Sequence, residues 1–127
     1  MDKNLVDTSG WLEYFTNGKN ADFFAPAVED IDNLIVSVIN VYEIFKKVLA
    51  ERGENEALET IAILSQGEIV DVDMNIAIQA SQISLQYKIP MADSILLATA
   101  QKYKAILWTQ DKHFENIESA IKFISKE

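Results

Sequence analysis

Four carboxylates stand out for where they fall beside the apolar runs: Asp7, Glu43, Asp93 and Asp111. Asp7 follows Leu5-Val6, an apolar pair short enough to be only a buried strand. Glu43 comes just after a second such run, Leu34-Ile35-Val36 with Val38. Asp93 stands in the first turn of a helix whose Ile95, Leu96, Leu97, Ala98 and Ala100 leave it apolar nearly all round, the mark of a helix enclosed by other layers. Asp111 closes the strand-length run Ala105-Ile106-Leu107-Trp108. If the strands are parallel, all four acids collect at the carboxyl edge of the sheet, where open α/β sheets form their ligand crevices. Gathering them without counter-charge costs on the order of several kcal/mol, because like charges push one another's pKa up. Divalent cations remove that cost. Mg²⁺ and Mn²⁺ favour carboxylate and water oxygens and can turn a bound water into a nucleophile.

Each acid also has a purely structural reading. Asp7 can cap the helix that follows it. Glu43 completes a capping pattern with Asn40, which is read as the cap of its helix. Asp111 can bond its own backbone in a turn. Asp93, beside Ile95, Leu96 and Leu97, needs a partner that the helix dipole supplies only in part. The case for a cation site is therefore the joint placement. Glu51, Glu54, Glu56 and Glu59 read as a solvated face, Asp73 as an N-cap, and His113, the only imidazole, as a loop residue near the site rather than a ligand.

The elements that must position these acids alternate along the chain. After the first strand come a brief helix around Trp11 to Phe15 and a second over Ala21 to Val28, whose extent Pro26 leaves undecided. Val41, Ile44, Phe45, Val48 and Leu49 keep helical spacing until Arg52-Gly53, and Ala57 to Leu64 form the next helix. Ile69-Val70 with Val72 reads as a third strand, and Asp73 caps a long helix that Pro90 separates from the buried one. Phe114-Glu115-Asn116 reads as a loop or single turn, and Ile121 to Ile124 as a short final strand. The order β α α β α α β α α β, with one strand more, implies a three-layer α/β/α fold with a mostly parallel sheet of four or five short strands.

The totals narrow the classes. A chain of 127 residues with 49% hydrophobic content reads as a single domain over 1–127 with a real core. It has no cysteine, so disulfides and thiolate metal sites are excluded. No apolar run reaches bilayer length, and Met1-Asp2-Lys3-Asn4 leads into a strand rather than a leader, which points to a cytoplasmic protein without a membrane partner. A net charge of −9 with one arginine, Arg52, excludes extended non-specific binding to duplex DNA.

With these residues in place the chain resembles a PIN-domain ribonuclease, most closely the VapC type of toxin from toxin-antitoxin pairs. The matching elements are Leu5-Val6-Asp7-Thr8-Ser9, Asn40-Val41-Tyr42-Glu43, Ala92-Asp93 with the Ser-Ile-Leu-Leu-Ala-Thr-Ala helix, and Trp108-Thr109-Gln110-Asp111 with His113-Phe114. The resemblance implies a divalent-metal-dependent endonuclease of single-stranded RNA that leaves 5′-phosphate and 3′-hydroxyl ends. One or two Mg²⁺ or Mn²⁺ ions would be held by Asp7, Glu43, Asp93 and Asp111. It further implies supporting hydroxyls at Thr8 and Thr109, a cognate antitoxin that blocks the site, and a homodimer. Lys46 and Lys47, one turn beyond Glu43, are candidates for contact with the RNA backbone, against the plainer reading of an exposed basic face. Two other readings compete: a catalytically silent PIN-like binding module, and a phosphoacceptor receiver domain, which would want paired acids after the first strand where only Asp7 stands.

Overall fold

The computed structural model describes residues 2–127; Met1, the start of the expected lead into the first strand, lies outside them. The chain runs β1 (Lys3–Val6), α1 (Thr8–Phe15), α2 (Ala21–Glu29), β2 (Leu34–Ser37), α3 (Val38–Arg52), α4 (Glu54–Leu64), β3 (Glu68–Val70), α5 (Met74–Tyr87), α6 (Met91–Lys102), β4 (Ala105–Thr109) and β5 (Ile121–Phe123). Short 3₁₀ turns occupy Ile31–Asn33 and Lys112–Phe114. All strand pairs are parallel, in the order β3-β2-β1-β4-β5. A receiver domain would have the order 2-1-3-4-5, so the sheet itself removes that alternative.

Alternation along the central strands builds two cores, one on each face. Leu5, Ile35 and Leu107 turn to α5 and α6 and meet Ile76, Ile83, Leu96 and Leu97. Val6, Val36 and Trp108 turn the other way, onto Trp11, Phe24, Ile44, Val48 and Leu64 of α1 to α4. The helices thus form the outer layers of the expected three-layer arrangement, with β1 at the centre of the sheet.

Several boundaries differ from the sequence reading. Val38 is not in β2 but begins α3, whose cap is Ser37 rather than Asn40. The Ser37 hydroxyl accepts from Ile39 N–H at 3.1 Å, while Asn40 Oδ1 accepts from Ser37 N–H at 3.0 Å. This reciprocal box starts the helix three residues early and leaves Glu43 in its second turn rather than its first. β3 ends at Val70, so Val72 lies beyond it although it still packs on the core. α4 begins at Glu54 because Gly53, at φ +91°, lets the chain reverse directly out of α3.

Candidate active site

The chain runs outward from β1 through β2 to β3, then returns to place β4 and β5 on the other side of β1. The strand order reverses between β1 and β4, and the crevice beyond their carboxyl ends is where such sheets bind ligands. Asp7 follows β1 there, and Asp111 follows β4.

Asp7 is the N-cap of α1: its Oδ1 accepts from Gly10 N–H at 2.8 Å and from the Ser9 hydroxyl at 3.0 Å. Thr109 donates its hydroxyl to Oδ2. Gly10 lets the start of α1 lie tight against α2 and β1, since a Cβ there would stand 2.6 Å from the Phe24 ring and 2.8 Å from Val6. The Asp7 side chain lies among these groups with the residue only 2% exposed. Burial pushes its pKa up to about 6, against the pull of three hydrogen-bond donors and with a further push from the charge of Asp111.

Thr109 works in two directions. Besides donating to Asp7 it accepts from Asp111 N–H at 2.9 Å, so one hydroxyl ties the end of β1 to the turn after β4. Asp111 in turn caps the 3₁₀ turn by accepting from His113 N–H at 2.9 Å. Across the crevice, Asp93 is the third residue of α6, and burial raises its pKa, helped by the charges of Asp111 and Glu43. The imidazole of His113 bridges these acids, with Nδ1 at 2.7 Å from Asp93 Oδ2 and 3.0 Å from Asp111 Oδ1. Its pKa is raised chiefly by the hydrogen bond to Asp93.

Glu43 reaches the site from α3, and Thr8 at the start of α1 donates to its Oε1 at 2.6 Å. Asn40 Nδ2 donates to the same Thr8 oxygen at 3.2 Å. Asp93, Asp111 and His113 each offer a ligand atom, all within 4.8 Å of one another. The carboxylate oxygens of Asp93 and Asp111, with the charge of Asp111 helping to raise the pKa of Asp93, fit a hard divalent cation.

The family model of the PIN domain matches residues 5–120. The chain belongs to the PIN domain family. Solved structures share the fold. The toxin-antitoxin complex from Klebsiella pneumoniae has a chain 24% identical over 94% of this one and 96% of its own length, with a TM-score of 0.81. DNA-bound VapBC from Salmonella typhimurium matches at 17% identity, 97% and 98% coverage and a TM-score of 0.77. VapC20 of Mycobacterium tuberculosis, described as a sarcin-ricin loop cleaving toxin, matches at 16%, 89% and 93%, with a TM-score of 0.73. No curated protein sequence matches.

Within this PIN domain the candidate residues divide. Asp93 and Asp111 are brought together directly, Asp7 is tied to them through Thr109, and Glu43 stands outside the close group but near enough for its charge to act on Asp93. Thr8 and Thr109 both bond a carboxylate of the quartet. The lysines point elsewhere: Lys46 lies 5.6 Å over the ring of Tyr42, and Lys47 pairs with Glu51 at 2.9 Å. His113 does lie near the site, in a turn, but its contact with two acids exceeds what a lone imidazole in the sequence could announce. Sequence reasoning missed Gln110, which accepts from Asn20 Nδ2 at 2.9 Å and so ties the site loop to the start of α2. No local pattern links residues so far apart.

Proposed function

We propose that this PIN domain, acting as a single unit, is a divalent-metal-dependent endoribonuclease of single-stranded RNA and the toxin of a toxin-antitoxin pair. The observation that supports this reading is the approach of Asp93 and Asp111 at the switch point of a PIN-family sheet, with Asp7 linked to Asp111 through Thr109 and Glu43 near enough for its charge to act on Asp93. The description of the Mycobacterium tuberculosis neighbour as a sarcin-ricin loop cleaving toxin supports the reading of RNA as substrate. Asp7, Glu43, Asp93 and Asp111 would hold Mg²⁺ or Mn²⁺. When bound, the ion supplies Lewis-acid charge to a phosphodiester and an acidified water to attack it. The chain's own work is to keep its carboxylates aimed: Gly10 and Thr109 hold Asp7, Thr8 holds Glu43, and the His113 ring yields the Asp93 and Asp111 oxygens. The test is incubation of purified protein with single-stranded RNA and Mn²⁺. Fragments bearing 5′-phosphate ends, lost on chelation, are expected, and intact RNA at every metal concentration would favour the silent binding module.

Lys46 and Lys47 are proposed as backbone contacts for RNA, which requires Lys47 to release Glu51. Changing both to Ala should weaken RNA binding several-fold and flatten its salt dependence. Unchanged affinity would retire them.

Two surfaces support the partners. A cleft of about 410 Å³ opens beside the site from Ser9 and Gln110; Glu13, Glu51, Glu56 and Glu59 line it together with Lys47 and Arg52, which pair with Glu51 and Glu56. Glu13 and Glu59 leave the lining acidic on balance, which suits basic side chains of an antitoxin, and the neighbours include toxin-antitoxin complexes. On the opposite layer, α5 carries no charged residue in 14 positions, although the whole chain has a net charge of −9. Leu85 in α5 and Met91 at the start of α6 are 83% and 73% exposed. Such a face is one on which two equally acidic copies can meet without repulsion, as a homodimer requires. Leu85→Glu should convert the dimer to monomer in sedimentation equilibrium; a monomeric wild type would refute the homodimer.

A further inference from the structure

We infer that Asn40 is a positioning residue for the acidic site: its buried amide sets the direction in which the Thr8 hydroxyl donates, and thereby holds Glu43. The inference rests on the reading of the quartet as a cation site and adds to it a residue that itself need not touch the ion. Asn40 is fully buried. Its Oδ1 accepts from Ser37 N–H at 3.0 Å, so the amide cannot flip without setting NH₂ against N–H. Nδ2 must then face Thr8, and it donates to Oγ1 at 3.2 Å. A hydroxyl has one proton. With its oxygen taken as an acceptor on that side, Thr8 spends the proton on Glu43 Oε1, at 2.6 Å.

Among the described residues Glu43 has no other side-chain hydrogen bond and no ion pair. A glutamate loses considerable rotamer freedom when it is ordered, so a single directed bond decides whether it waits in place or swings into solvent. The relay also joins the start of α1, which carries Asp7 as its cap, to the helix that carries Glu43. Two of the four acids are thereby held in register by one side chain. Outer partners that orient ligating groups are worth about 10–100-fold in metal affinity when removed.

The two ends of the amide allow the helix-capping role to be separated from the positioning role. Asn40→Asp keeps an oxygen for Ser37 N–H but replaces the NH₂ facing Thr8 with an acceptor. The Thr8 proton then turns to the introduced carboxylate and away from Glu43. The added negative charge would by itself favour a cation, so weaker binding cannot be its direct electrostatic effect. Mn²⁺ affinity is measured by calorimetry on the wild type, Asn40→Asp, Thr8→Val and the double variant, with thermal midpoints recorded for each. Asn40→Asp and Thr8→Val should each weaken Mn²⁺ binding about tenfold or more. In the Thr8→Val background Asn40→Asp should add little further loss, because its route to Glu43 is already cut. Wild-type affinity in a folded Asn40→Asp protein overturns the inference, as does an undiminished additive loss in the double variant. A wild type that does not bind Mn²⁺ overturns the cation reading and the inference with it.

Discussion

Asp7→Asn and Asp93→Asn are each expected to lower RNA cleavage by on the order of 10²–10³-fold or more, the scale on which removal of one preorganised electrostatic group is felt. The folded state should survive both. An Asn at position 7 keeps an oxygen for Gly10 N–H and can donate to Thr109, whose hydroxyl has capacity to accept a second bond beside Asp111 N–H. At position 93 the first turn of α6 tolerates the amide, while the charge that draws His113 and a cation alike is lost. Initial rates on a labelled single-stranded RNA, with circular dichroism as the folding control, provide the measurement. Full activity in the purified double variant would end the assignment of these carboxylates to the reaction.

Asp7→Asn should at the same time stabilise the cation-free protein at neutral pH. The Asp7 carboxyl titrates at about 6 in the folded chain, against an ordinary value of 3.8. The folded state thus holds the proton more tightly than the unfolded state. The stability this group contributes is complete below about pH 3.8 and is lost as pH climbs through about 6. At pH 7 the deficit is on the order of 2–3 kcal/mol, since a tenfold difference in proton affinity corresponds to about 1.4 kcal/mol. Urea unfolding in chelator should show the variant more stable by about that amount at pH 7, with the gap narrowing towards pH 5. Mn²⁺ should raise the midpoint of the wild type and leave that of the variant nearly unchanged. A variant no more stable than the wild type at pH 7 in chelator would show that Asp7 carries no such strain.

The elements were legible because their signals were local. Pro90, Gly53 and the alternation around Leu5-Val6 or Ile35-Val36 mark helix starts, stops and buried strands without reference to distant residues. The parallel sheet followed from the alternation of strands and helices, whereas the placement of β4 against β1 is decided by packing between residues about a hundred apart. The same division holds at the site. Asp93 was conspicuous because an acid beside Ile95, Leu96 and Leu97 conflicts with its surroundings. The Asn-x-x-Glu spacing at Asn40 and Glu43 imitated a capping box, while the real one began at Ser37 with Asn40 as its third helical residue. The Thr109 bridge, the Asn20 bond to Gln110 and the His113 contacts were invisible in one dimension, because each joins segments that meet only after the sheet closes.

Under the proposed function, the placement of β4 next to β1 bears on when the growing chain first becomes able to act. Asp7 leaves the ribosome well before Asp111, and Thr109, which links them, belongs to a strand translated after helices α1 to α6. An unfinished polypeptide therefore lacks one wall of its crevice however well its earlier part has folded. Under the proposed function, a toxin built this way has no complete crevice until its fourth strand has been made and docked, and its inhibitor is needed only from that point on.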